Sequence, residues 1–175
     1  MASRYTGGFK IEPGRVSMEL SKLLPTEHIR VPLRATDKLG VITELVDVLD
    51  ANGCLTDRNA ALEAVLKREA ERTTGIGYGL AIPHGKSDGC DRLVMAAGKP
   101  ATPIDFQSLD GRPVTFVVLL ISPPDQTGPH IQALARISRL MNIEEFRIAV
   151  EHATSAQALH DAIEAFETNH VLRKA

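Results

Sequence analysis

Val114-Thr-Phe-Val-Val-Leu-Leu-Ile121 is the longest apolar stretch of the chain. It falls far short of the roughly 18 apolar residues a membrane span needs, and its β-branched and aromatic content marks a buried strand. Upstream lie two further short strands, Gly79 to Ile82 and Leu93 to Gly98, separated by the polar turns Ser87 to Asp91 and Leu109 to Pro113. The middle of the chain is therefore sheet. On its N-terminal side, a short helical turn at Met18 to Leu24 precedes a strand at Ile29 to Leu33, which Pro32 consigns to an edge or an end. Two helices follow. One opens at a Thr36 or Asp37 cap, spaces Leu39, Ile42, Leu45, Val46 and Leu49 along a face, and stops at Asn52-Gly53. The next opens near Thr56 or Asp57, buries Ala61, Leu62, Val65 and Leu66, and ends in the charged turn Lys67 to Arg72. Beyond Pro123-Pro124, helices are expected at Pro129 to Met141, with the stripe Ile131, Leu134, Ala135, Ile137 and Leu140, and at Glu144 to Glu151. A last helix runs from a Ser155 cap to about Phe166 and faces Leu159, Ile163 and Phe166 inward.

Helices before and after a compact group of strands imply an α/β domain whose sheet is covered on two faces. The 175 residues suit one such domain, assigned to 16–168, with a flexible N-terminal tail at 1–15 and a short C-terminal tail at 169–175. At 43% hydrophobic and 24% charged, the composition is that of a soluble globular protein. Twenty Lys and Arg against 22 Asp and Glu leave a net charge of -2, with no basic surplus to hold a nucleic acid. Two cysteines, Cys54 and Cys90, are too few for a disulfide framework, and the expected compartment is the reducing cytoplasm, without direct membrane insertion.

The chemistry concentrates in Gly75-Ile-Gly-Tyr-Gly-Leu-Ala-Ile-Pro-His84-Gly-Lys86. Imidazole serves as a neutral nucleophile near pH 7, and His84 sits between a proline that stiffens the backbone and a glycine free to turn or to allow close approach. Two nucleotide-binding readings fail here. The glycines at 75, 77 and 79 lack the spacing and the strand-to-helix setting of a dinucleotide fingerprint, and Gly79 to Ser87 has five residues between its glycines where a phosphate loop has four. Among the other histidines, His28, His152, His160 and His170 have no special neighbours. His130 differs, because it lies in the first turn of the helix opening at Thr127-Gly-Pro129, where unpaired N–H groups and the helix dipole favour an anion. Arg68, on the helix leading into the glycine segment, offers a planar fork of donors suited to phosphoryl oxygens. Together His84, His130 and Arg68 make a set suited to phosphoryl transfer that needs no metal or nucleotide cofactor. Lys86 and Gln126 are secondary candidates for phosphate contact. Apolar residues Ile76, Tyr78 and Leu80 are expected to rim a shallow depression with His84 at its floor and to dock partners.

These residues carry a resemblance. From about Met18 to Phe166 the chain resembles the enzyme IIA proteins of the fructose, mannitol and nitrogen-related class of the bacterial phosphoenolpyruvate-dependent phosphotransferase system. Three blocks carry it: Thr74 to Lys86, then Ile104-Asp-Phe through Leu109-Asp-Gly-Arg-Pro-Val114, then Pro124-Asp-Gln-Thr-Gly-Pro-His130-Ile-Gln-Ala-Leu134. The resemblance implies a mixed, mostly parallel sheet with helices on both faces. It also implies that His84 is phosphorylated by the histidine-containing phosphocarrier protein and passes the group to an EIIB domain, with His130 and Arg68 as accessory groups. One ring nitrogen of His84 would attack phosphorus while the other donates to a nearby acceptor. An alternative is a regulatory protein of the nitrogen-related branch, whose phosphorylation state controls binding to other proteins. A third reading, a metal hydrolase, would place His84, His130 and Asp125 on one ion.

Overall fold

The computed structural model describes the backbone of residues 18–172 and the side chains of 18–169. The expectations for residues 1–15 and for the His170 side chain lie outside these. Strands β1 (Ile29–Leu33), β2 (Gly75–Gly77), β3 (Leu80–Ala81), β4 (His84–Lys86), β5 (Val94–Pro100) and β6 (Phe116–Ser122) form one sheet in the order β1-β5-β6-β3-β2, with β4 also paired to β6. Three pairings are parallel (β1 with β5, β3 with β6, β4 with β6) and two antiparallel (β5 with β6, β2 with β3), the mixed, mostly parallel sheet expected. β1, which carries Pro32, is an edge strand, where a missing ladder donor does least harm.

β6 explains its own sequence. Side chains alternate across a strand, and Phe116, Val118 and Leu120 enter one core while Val117, Leu119 and Ile121 enter the other. Both faces are dry, so the run is continuous rather than alternating. The first core is closed by α1 (Leu20–Leu23), α4 (Thr127–Met141), α5 (Glu144–His152) and α6 (Ala156–Leu172), the second by α2 (Lys38–Ala51) and α3 (Arg58–Glu71). Each large side chain so buried contributes about 1.5–3 kcal/mol. Asp37 and Asp57 cap α2 and α3 by accepting from the N–H groups of Gly40 and Ala60, and Ser155 accepts from Ala158 at the start of α6.

Three details differ from expectation. Leu39 and Ile131 are 58% and 59% exposed, since the buried faces of α2 and α4 are completed instead by Val41 and Val48 and by Ala133 and Met141. The strand expected at Gly79 to Ile82 is the two-residue β3, flanked by two short strands not expected from the sequence, β2, with which it forms a hairpin, and β4. Tyr78 and Gly79, both at positive φ, reverse the chain between β2 and β3. α6 runs past Phe166 to Leu172, into the span expected to be a tail.

Gly85 is not a turn but the centre of β4, paired to Ile121. A Cβ there would lie 2.9 Å from the Ala64 carbonyl carbon and 2.9 Å from the Val65 nitrogen, so only glycine lets β4 meet the backbone of α3. Gly85→Ala is therefore expected to destabilise the fold by about 1–3 kcal/mol, the usual cost of overpacking. Urea unfolding measures it, and an unchanged midpoint would show that α3 yields freely.

Candidate functional site

Pro83 builds the site. Lacking an N–H, it interrupts the strand that would otherwise join β3 to β4, although its carbonyl still accepts from Leu120 at 3.0 Å. The strand resumes at His84, opposite Leu120. The half-buried imidazole curls back, and Nδ1 lies 2.7 Å from the Ile82 carbonyl. A carbonyl only accepts, so Nδ1 carries the proton and Nε2 the lone pair. This is the tautomer-fixing acceptor expected from the sequence, supplied by the backbone two residues away.

His130, in the first turn of α4, is 4% exposed and meets the His84 ring edge-on, with centroids 5.5 Å apart. Its Nδ1 is 2.6 Å from Ser122 Oγ at the end of β6. Both rings open on one cleft of about 570 Å³, together with Lys67, Arg68 and Lys86. The structure thus brings His84, His130 and Arg68 to one place. Arg68 Nη1 donates to the Arg72 carbonyl at 2.9 Å, anchoring the guanidinium to the end of its own helix. Lys86 Nζ donates to Thr127 Oγ1 at 2.9 Å and so ties β4 to the first residue of α4. The cleft also holds Glu63, Glu71 and Asp88, so its cations are balanced overall and matter by position.

Position shows in the titration of the rings. Burial lowers the pKa of His84, and the Arg68 guanidinium lowers it further, against the Ile82 hydrogen bond and the charge of Glu69, which raise it. Burial also pulls His130 down to about 4, helped by His84 and Lys86.

The expected apolar rim is corrected. Leu80 is fully buried, because β3 lies inside the sheet between β6 and β2, while Ile76 and Tyr78 are exposed but do not line the cleft. Tyr78 instead lies under the Arg147 guanidinium, 4.4 Å from its ring centroid. The rim of the His84 cleft is the outer face of α3. Gln126 accepts from the Leu93 N–H through Oε1, and neither it nor Asp125 lines the cleft. Among the described residues no group of three or more His, Cys, Asp and Glu is placed to hold a metal ion.

Two residues of the site went unread in the sequence. Glu69 is buried, pairs with Lys38 at 2.8 Å, and takes hydrogen bonds from both the N–H and the hydroxyl of Thr74. Thr74 in turn accepts from Ile82 N–H at 3.0 Å, so this charge braces the peptide that holds His84. The signal was present: Glu69 continues the four-residue spacing of Ala61 and Val65, the buried row of α3. The other is Ser122, hidden as the terminal residue of an apolar strand.

The open α/β fold recurs among solved structures. The nitrogen regulatory protein IIA-Ntr of Neisseria meningitidis superimposes with a TM-score of 0.72 at 25% identity, covering 82% of this chain and 98% of that one. The family of the phosphoenolpyruvate-dependent sugar phosphotransferase system, EIIA 2, matches residues 22–166, and the chain belongs to it. A fructose-specific EIIABC component of Bacillus subtilis is 38% identical over 146 residues, 83% of this chain but only 23% of that protein. A fructose-specific EIIA component of Haloferax volcanii is 34% identical over 145 residues, 83% of this chain and 94% of its own length. A nitrogen regulatory protein of Bradyrhizobium diazoefficiens is 34% identical over 148 residues, 83% and 95% respectively. Among the described residues no helix is long and apolar enough to cross a membrane.

The depressed pKa of His130 has a consequence for stability. An imidazole with an ordinary value of 6.5 unfolded and about 4 folded is protonated first in the unfolded chain. Stability from its neutral state is thus complete above pH 6.5 and is lost as the pH falls towards 4. A gap of that size corresponds to about 3 kcal/mol. His130→Gln removes the titration, so its urea midpoint is expected to approach that of wild type between pH 7 and 4; parallel curves would place the proton elsewhere.

Proposed function

We propose that this chain carries phosphoryl groups on Nε2 of His84, taking them from the phosphohistidine of the histidine-containing phosphocarrier protein and giving them to an EIIB domain. The observation that carries this reading is the Ile82 carbonyl on Nδ1, which leaves the Nε2 lone pair as the one nucleophilic atom of a half-buried ring in an open cleft. The lone pair forms the new phosphorus–nitrogen bond as the donor's phosphorus–nitrogen bond breaks, and that electron pair returns to the donor ring. No proton has to leave Nδ1–H, whose hydrogen bond strengthens as positive charge develops on the ring. Arg68, Lys86 and His130 stand around the place where the equatorial oxygens gather charge, a role suited to fixed donors in a partly water-excluded site. The reverse transfer uses the same contacts. No cofactor takes part in the step.

The IIA-Ntr likeness and the Bradyrhizobium relative, matched over 95% of its length, favour a second use of the same chemistry. In it the charge state of His84 switches the cleft between partners, and the receiver is a regulated protein rather than EIIB. A cytoplasmic setting suits both uses.

Incubation with labelled phosphoenolpyruvate, enzyme I and the phosphocarrier protein tests the reading. Acid-labile, base-stable label is expected on wild type and none on His84→Ala. His130→Ala is expected to label about 100-fold more slowly, the scale for losing one transition-state donor. Label on His84→Ala, or none on wild type with competent partners, overturns it. Addition of EIIB domains then separates a transport link, which discharges the label, from a regulatory one, which keeps it.

The lowered pKa of His84 adds a pH profile. Acceptance is expected to be flat through pH 7 and to fall only below the ordinary histidine value of 6.5, as the lone pair is protonated. A fall beginning above that value in a stopped-flow profile would contradict the burial and Arg68 effects.

A further inference from the structure

We infer that Ser122 is a positioning residue that fixes His130 as the Nε2–H tautomer, making a neutral imidazole a hydrogen-bond donor toward the phosphoryl group on His84. Ser122 is 0% exposed and its Oγ lies 2.6 Å from His130 Nδ1. A serine hydroxyl has one proton to give, and among the described residues Nδ1 is its one recorded partner. Were Nδ1 itself protonated, it would donate to Oγ and leave the hydroxyl proton without an acceptor in a place closed to solvent, at the full desolvation cost of that group. With the hydroxyl donating to Nδ1, both groups are satisfied and the proton of the neutral ring resides on Nε2.

The two rings are then locked in opposite tautomers. In His84 the Ile82 carbonyl holds the proton on Nδ1 and leaves Nε2 a lone pair; in His130 the Ser122 hydroxyl holds the lone pair on Nδ1 and leaves Nε2 a proton. One ring attacks phosphorus and the other donates to a phosphoryl oxygen, both neutral, across rings 5.5 Å apart. Neutrality is kept by burial, so His130 gives a hydrogen bond without adding a charge that would trap the group. Ser122 is well placed to do this. It ends β6, pairs in register with Lys86, and its carbonyl accepts from Ser87 N–H, so the hydroxyl is referenced to the strand that carries His84.

The rate effect rests on the phosphoryl-carrier reading; the tautomer does not. Long-range proton–nitrogen NMR of the unphosphorylated full chain at pH 7 reads both rings directly. His84 is expected to be protonated at Nδ1 and His130 at Nε2. In Ser122→Ala, His130 is expected to populate the Nδ1–H form, and phosphoryl acceptance to fall about tenfold, the effect of weakening one donor. Ser122→Thr, which retains the hydroxyl, is expected to keep the wild-type tautomer and a rate within about twofold of wild type. Backbone amide spectra report whether each variant folds; if Ser122→Ala does not, the wild-type spectrum and Ser122→Thr decide. The inference is overturned by Nδ1–H on His130 in wild type, by an unchanged tautomer in Ser122→Ala, or by a changed tautomer with an unchanged rate. Wild type that accepts no phosphoryl group would overturn the carrier reading, while the spectrum would still decide what Ser122 does.

Discussion

Burial of β6 on both of its faces is the constraint from which the molecule is built. Its seven residues are all buried, and it pairs with β5 on one side and with both β3 and β4 on the other. A strand so enclosed cannot slip by one residue without moving three large side chains from one dry core to the other, so its register is rigid. The site inherits that rigidity. His84 is placed by pairing with Leu120, Lys86 by pairing with Ser122, and His130 by its contact to the last residue of the same strand.

The two imidazoles are held by uncharged groups, although charged side chains line the cleft around them. A carbonyl holds one histidine, a strand-end hydroxyl holds the other, and the single buried carboxylate nearby, Glu69, is spent on bracing the Thr74 segment and on Lys38. Arg68 and Lys86 each have a hydrogen-bond partner already and reach the rings as fields more than as contacts. Both effects push the imidazoles toward neutrality, the form in which a ring nitrogen is either nucleophile or donor.

Much of this was legible in the residues. β1, β6 and the two long helices of the N-terminal half announce themselves through apolar runs and aspartate caps, signals that are local and strong. His84, His130 and Arg68 were legible as a set because each sits at a punctuated place: after a proline, at a helix start, at a helix end. β2 and β4 were not, since three residues with glycine at alternate or central positions have no strand propensity of their own; β2 becomes a strand by folding back on β3 and β4 by pairing with β6, distant in sequence. The rim was misread for a related reason. Counting alternate side chains along one extended segment assumes a single direction, and the positive φ of Tyr78 and Gly79 turns the chain back before Leu80. Ser122 lay beyond sequence reasoning because its role comes from meeting a helix that follows it only after a turn.

The interruption at Pro83 reaches further than geometry. A histidine on a surface loop meets each partner with several rotamers open and must give up that freedom at every encounter, at about 0.5–1.5 kcal/mol for a side chain ordered on binding. Here the ring is already bound to the Ile82 carbonyl and set into a strand. Its disorder was surrendered once, when the chain folded. For the relay proposed above, a ring ordered in advance would present the same entropy to giver and to receiver, and the direction in which the group travels would be left to the chemistry of the two partners.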